Sequence, residues 1–249
     1  MLAKSLFLAF TALVGAQKFA EVCTIPGPSC SVKNSTDTCC VSYYGTITFS
    51  HMWLANRGRP DQFTIHGMWP NRCDWSYLNE GCDLSRNYTG AGDIVKARNP
   101  SLYKTMLRDW PSSDGDFSSF WDHEWNKHGT CYDPAAPKCL ADYQKYDDLL
   151  MYYEVTHQIY SKYNMYNILA SSGIVPGFNY TRSSMEAAIL KNSGLISKVR
   201  CDSAGNLSEI YSYFYISGQT DFIPTTPVYN PTDCLNIYYP KKSVSPKCQ

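Results

Sequence analysis

The chain reads as an α+β domain with helices packed on a sheet, and three observations predict it. Alternating apolar and polar residues mark strands toward both ends, at 41–53, 61–66, 196–201 and 209–216. Helical periodicity fills the middle, at 117–128, 142–170 and 183–191. Eleven cysteines, with no internal repeat, low-complexity segment or linker, point to one disulfide-rich unit over residues 17–249. Residues 1–16 stand apart.

That leading segment has the pattern of a secretion signal. Lys4 precedes the apolar run from Leu6 to Phe10, and Val14-Gly15-Ala16 supplies small residues for cleavage. The run is too short to span a bilayer, and no later stretch reaches about 18 apolar residues. A secreted protein with no membrane partner is expected, and an oxidising compartment suits its cysteines.

The elements follow in order. Residues 17–40, rich in cysteine, serine and threonine, predict an irregular arm. Strands at 41–53 and 61–66 flank a loop carrying Gly58 and Pro60. Phe63 and Ile65 alternate with Thr64 and His66, which turns His66 away from the core, and Pro70 is expected to end the element. Residues 71–92 read as a loop. Phe117 to His128 reads as a helix, with Gly129 in the left-handed position just past its end. From 142 to 170, Tyr146, Leu149, Leu150, Tyr153, Tyr160 and Tyr163 recur at helical spacing, with His157 a packed or surface residue. Ser183 and Glu186 form a capping box for a helix through Lys191. The final part, rich in proline and tyrosine, returns as loop and strand.

Chemistry concentrates in two segments. Only five histidines exist, and three of them lie in Phe63-Thr64-Ile65-His66-Gly67-Met68-Trp69-Pro70 and in Phe120-Trp121-Asp122-His123-Glu124-Trp125-Asn126-Lys127-His128-Gly129-Thr130-Cys131. One imidazole that takes a proton and another that gives one would be grouped this way. At about 100° per residue, His123, Lys127, Glu124 and His128 share an arc of roughly 140°. Trp125 is assigned to core packing. A zinc helix needs histidines four apart. Here they are five apart, which splays them on an ideal helix, and Lys127 adds a positive charge between them. A metal-dependent hydrolase is therefore disfavoured, and neither metal nor other cofactor is expected.

Both segments resemble the two active-site signatures of the ribonuclease T2 family, the secreted acid ribonucleases, and the fungal branch most of all. The resemblance runs through the cysteines over nearly all of residues 17–249. It implies helices packed on an antiparallel sheet with the active site at the sheet's edge. It also implies disulfides Cys23–Cys40, Cys30–Cys73, Cys39–Cys139, Cys82–Cys131 and Cys201–Cys234, which leaves Cys248 over.

The family implies metal-independent cleavage of single-stranded RNA through 2′,3′-cyclic phosphates to 3′-phosphates, with low base specificity and no action on DNA. His128 is then the base and His66 the acid, although these two labels are exchangeable on sequence alone. His123 would hold phosphate, while Glu124 and Lys127 would stabilise the transition state, Glu124 raising the pKa of His128 and Lys127 opposing it. Trp69 and Tyr77 match the stacking residues for the 5′-side base, and Phe120, with Pro111 and Ser112, matches the second subsite. Asn71 replaces the Asp of adenine-preferring relatives, Ser113 and Asp114 replace an amide-bearing pair, and His51 replaces a common Gln. These departures bear on base preference, which an amide at 71 would relax or turn to guanine.

Formal net charge is zero, with 22 basic and 22 acidic residues. Tight RNA binders carry a basic footprint, so the balance argues against a structural RNA-binding role and suits an enzyme that releases its product. A catalytically idle, secreted binding protein is the rival reading, which loss of either catalytic histidine would mark. Acceptor triplets for N-glycosylation occur at Asn34, Asn87, Asn179 and Asn206, while Pro231 excludes Asn230. A monomeric glycoprotein is expected.

Overall fold

The computed structural model describes residues 18–24, 27–33, 35–227 and 234–243. The expected secretion signal, Asn34 and Cys248 lie outside them. In chain order the main elements are β1 (Thr46–Met52), β2 (Thr64–Asn71), α1 (Ala91–Arg98), α2 (Pro100–Asp109) and α3 (Phe117–His123). Then come α4 (Asp147–Lys162), α5 (Met165–Ala170), β3 (Phe178–Thr181), α6 (Arg182–Ser193), β4 (Ser197–Cys201), β5 (Leu207–Ser217), β6 (Asp221–Pro224) and β7 (Asn236–Tyr239). The main sheet runs β2-β1-β5-β4, with β6 also paired to β5, while β3 and β7 form a separate ribbon. The seven described strands all pair antiparallel, so the class is α+β.

Sheet alternation puts Ile47, Phe49, Ile65, Met68, Val199, Ile210 and Phe214 into one core with Tyr152, Tyr153, Val155 and Ile159 of α4. The other face of β2 and β5 carries His66, Trp69, Asn71, Glu209 and Tyr211, all less deeply placed than the core except Asn71. β2 is an edge strand. Buried aromatic side chains serve main-chain carbonyls on it and just before it: Tyr160 donates to Phe63 (2.6 Å), Trp110 to His66 (2.8 Å) and Tyr152 to Met68 (2.7 Å). Tyr153 in turn donates to Trp121 (2.8 Å) and Trp121 to Trp110 (3.0 Å). Rings that bring large apolar area to the core thus also fix the backbone from which His66 projects.

Several elements differ from their sequence expectation. β2 continues through Pro70 to Asn71 instead of stopping, because an edge strand tolerates a residue without an N–H. The stretch 142–170 is two helices: α4 ends at Lys162, and Asn164 caps α5 by accepting from the Asn167 N–H. The cap of α6 is Thr181, accepting from Ser184, so no capping box forms. Glu186 instead accepts from the Val199 N–H and lies near Arg182 and Lys198. Helices α1 and α2 were not anticipated from the sequence. The signal that marks them is Asn99-Pro100, a cap accepting from Leu102 followed by proline in the first turn.

Five disulfides join Cys23–Cys40, Cys30–Cys73, Cys39–Cys139, Cys82–Cys131 and Cys201–Cys234. Cys82–Cys131 ties the loop after β2 to the end of the histidine segment. Arg86 reinforces it from within, donating to Thr130 and pairing with Asp83.

Candidate active site

The second histidine segment is not one regular helix. α3 gives way at Glu124–His128 to a single π turn, then to a 3-10 turn at Gly129–Cys131. The Gly129 N–H reaches the carbonyls of both Glu124 and Trp125. Gly129 has φ −61°, ordinary right-handed backbone, and not the left-handed cap that its position suggested. Its lack of a side chain serves packing instead. A Cβ there would lie 2.4 Å from the Trp125 ring and 3.0 Å from Tyr152. Trp125 is fully buried, donating to the Arg86 carbonyl at 2.8 Å, and this large ring seated against Gly129 accompanies the widened turn.

That widening corrects the expected splay. A π turn closes hydrogen bonds five residues apart, so residues five apart share a face. The rings of His123 and His128 lie 6.0 Å apart between centroids. One potential ligand atom from each of His123, Glu124 and His128 lies within 4.8 Å of the others. Spacing alone therefore gives no argument against a cation here.

On β2, the register slips between Ser50 and His51: Ser50 pairs with Gly67 and His51 with Ile65, which leaves His66 as the extra residue of a bulge. Its ring projects beside Trp69 (4.9 Å between centroids) and Phe120 (5.7 Å). Gly67 is required by what lies behind it. A Cβ there would sit 1.9 Å from Glu124 Oε2 and 2.4 Å from Trp69 Nε1, the two atoms of a 2.9 Å hydrogen bond donated by the indole. The other Glu124 oxygen, buried and without a hydrogen-bond partner among the described residues, lies 3.8 Å from His66 Nε2.

His66, Trp69, Asn71, Tyr77, His123, Glu124, Lys127 and His128 together line one cleft of about 390 Å³. Tyr77 is 59 % exposed, and one side of Trp69 is taken by His128, tilted 32° at 5.3 Å. Asn71 is buried, with its amide nitrogen donating to Thr48 Oγ1 (3.2 Å) and the Trp69 carbonyl (2.9 Å). Phe120 reaches the site through His66. Pro111 and Ser112 are buried and do not line the cleft, and the Ser112 hydroxyl donates to Asp114. Ser113 and Asp114 are exposed in the same loop, with the Ser113 carbonyl accepting from Arg57. His157 stands apart, its Nε2 2.9 Å from Asp109. His51 is fully buried among Phe49, Phe63 and Tyr160.

The two imidazoles that flank the cleft are pushed in opposite directions. His128 is lowered to about 2 by burial and then by the charges of Lys127, His123 and His66. His66 is raised: burial opposes its charged form, but hydrogen bonding to Glu209 and the fields of Glu124 and Glu209 outweigh that. Burial lifts the Glu124 carboxyl to about 7 against the opposing influence of His66, Trp69 and Lys127. Glu124 thus acts on His66, not on His128 as expected, because Trp69 holds its carboxylate beneath Gly67. Burial, Lys127 and His66 lower His123.

Sequence reasoning missed Glu209. Its carboxylate contacts His66 Nδ1 and accepts from Ser50 (3.2 Å) and Tyr211 (2.7 Å). Alternation on β5 puts Glu209 and Tyr211 on one face, but nothing local ties that face to a histidine 143 residues earlier.

An antiparallel sheet with a histidine cleft at its edge, stapled by disulfides, is the architecture of a class of endoribonuclease folds. The Ribonuclease T2 family profile matches residues 17–234. Ribonuclease Rh of Rhizopus niveus is 35% identical over 236 residues, covering 94% of this chain and 98% of its own. Ribonuclease T2 of Aspergillus oryzae is 34% identical over 255 residues, covering 92% and 90%. The crystal structure of Actibind, a T2 ribonuclease, superposes with a TM-score of 0.83 at 29% identity, covering 92% of this chain and all of that one. The chain belongs to the ribonuclease T2 family and is an endoribonuclease.

Proposed function

We propose that the chain cleaves single-stranded RNA by metal-independent transphosphorylation, with His128 as base and His66 as acid. His128 takes the 2′-hydroxyl proton, O2′ attacks phosphorus, and the 5′-oxygen leaves with a proton from His66. Water then opens the 2′,3′-cyclic phosphate to a 3′-phosphate with the two roles reversed. The placement of His66 on β2 and His128 on the π turn in one cleft carries this reading, and the opposed directions of their tuning agree with it. A base must be neutral and an acid protonated at the same pH. DNA lacks the 2′-hydroxyl and would not be cut.

His123 and Lys127 supply positive charge for the phosphate. Below about pH 7 Glu124 is largely neutral, so it can donate a hydrogen bond to a phosphoryl oxygen instead of repelling it. Trp69 and Tyr77 would hold the 5′-side base, with stacking worth about 1–3 kcal/mol per base. Because Asn71 spends its amide hydrogens on Thr48 and Trp69, only its oxygen is left for a base. An acceptor alone finds a donor on any of the four bases, which supports low specificity. Phe120, with Pro111 and Ser112 behind it, would form the second subsite.

Purified protein incubated with RNA, DNA and the four homopolymers, with and without chelator, tests this. Cyclic and then 3′-phosphates in chelator, with DNA intact, are expected. Loss of activity in chelator would instead favour a cation at His123, Glu124 and His128, the reading that their proximity supports.

Secretion as a monomeric glycoprotein completes the reading. Five disulfides suit an oxidising compartment, and no described helix is long and apolar enough to cross a membrane. Asn87 and Asn179 are exposed acceptors, whereas Asn206 is half-buried and donates to Asp202.

A further inference from the structure

Glu209 lies one strand away from the histidine it touches. β1 separates β5 from β2, and Ser50 on β1 pairs with Gly67 on one side and Tyr211 on the other. The Glu209 side chain crosses above Ser50 to reach His66 Nδ1, with Oε1 shared between Ser50 and His66 and Oε2 accepting from Tyr211. Three groups thus orient one carboxylate. The other His66 nitrogen, Nε2, is left on the side of Glu124 and the cleft.

A carboxylate against Nδ1 makes that nitrogen the donor, which fixes the tautomer and leaves Nε2 to exchange the proton. We propose that Glu209 is the positioning residue for His66: it holds the ring in the bulge, fixes the Nδ1–H form and keeps the imidazolium available at Nε2. Tyr211 and Ser50 are its supports. This rests on the reading of His66 as the proton donor.

The surroundings favour Glu209 as the charged partner. Burial would raise its pKa, but His66, Tyr211 and Ser50 together bring it below its ordinary value. Glu124, the other acid facing His66, is lifted to about 7. In acid solution Glu209 is the ionised neighbour and Glu124 largely the neutral one. The other titratable groups of α3 and the π turn are His123, Lys127 and His128, and the charge of His66 helps to lower both His123 and His128. Arg200 of β4 lies over the Tyr211 ring at 5.4 Å.

The test combines kinetics with resonance assignment of the imidazoles. Glu209→Gln keeps the shape and removes the charge. It is expected to lower kcat on a dinucleotide about 10- to 100-fold, the loss of one charge-assisted hydrogen bond, with KM within about twofold. The high-pH limb of activity and the titration of the His66 ring should both move to lower pH, and Nδ1 should lose its fixed proton. Glu209→Asp should restore part of the limb position, and Tyr211→Phe should give a smaller shift in the same direction in protein that stays folded. An unmoved limb and unmoved His66 nitrogen resonances in Glu209→Gln would overturn the proposal. If His66→Ala kept full turnover, the donor reading would fall instead, while the tautomer of His66 in wild-type and Glu209→Gln protein would still decide the role of Glu209.

Discussion

The Glu124 carboxylate and the Trp69 indole are joined at 2.9 Å through space that exists only because residue 67 has no side chain. The relation links the two histidine segments directly: a strand residue donates to a helix-turn acid, and a glycine between them holds the gap open. Gly67→Ala must therefore displace either Glu124 or Trp69. The expected outcome is folded protein with kcat/KM reduced by about 10-fold or more, since a buried acid left without its partner costs about 1–3 kcal/mol. Steady-state kinetics alongside tryptophan fluorescence checks it; wild-type rates would contradict the geometry.

His66→Ala and His128→Ala should each lose about 10²- to 10⁴-fold in kcat, the contribution of one acid or base group. His157→Ala should keep near-wild-type turnover, because its partner is Asp109 outside the cleft. Single-turnover rates on a dinucleotide measure all three. Full activity in His128→Ala would refute the assignment.

The pH profile should be bell-shaped with its maximum below neutrality. Activity needs His128 neutral, which holds above a pKa lowered to about 2. It also needs His66 protonated, which holds below a pKa raised from its ordinary value. Lowering one and raising the other widens the acid-side window, and ionisation of Glu124 through about 7 adds to the decline on the alkaline side. Both limbs belong to a coupled set. Initial rates at constant ionic strength test this, and a steady climb into alkaline pH would count against it.

Stability should fall on acidification for a separate reason. His51 is fully buried with neither ring nitrogen hydrogen-bonded by a side chain, and burial lowers it to about 3. The fold prefers the neutral ring, so its stabilising contribution is complete above the unfolded value near 6.5. It is lost as pH falls from there toward 3, on the order of a few kcal/mol. Thermal unfolding of wild type and His51→Gln between pH 7 and 4 should show the steeper drop in wild type.

The reaction class was legible from two short segments because acid–base chemistry needs particular side chains at close range. His66, His123, Glu124, Lys127 and His128 were readable, and the structure brings them to one cleft. What sequence hid was geometry set by neighbours. The π turn goes with Trp125 packed against Gly129, a tertiary contact that an ideal helix wheel cannot anticipate. Glu209 was hidden for another reason: pairing across β1, not proximity in the chain, carries it to His66. Helices α1 and α2 were marked locally, by the Asn99 cap and Pro100 in the first turn of α2.

The carbonyls at Phe63, His66 and Met68 are already taken by Tyr160, Trp110 and Tyr152. β2 therefore lies at the margin of the sheet without offering those acceptors to a passing strand. Exposed strand edges template intermolecular pairing and aggregation. Here the side with the cleft stays open while three hydrogen-bond acceptors are withheld from a polypeptide. The same aromatic residues that fill the core thus occupy acceptors at an edge where another strand could otherwise pair.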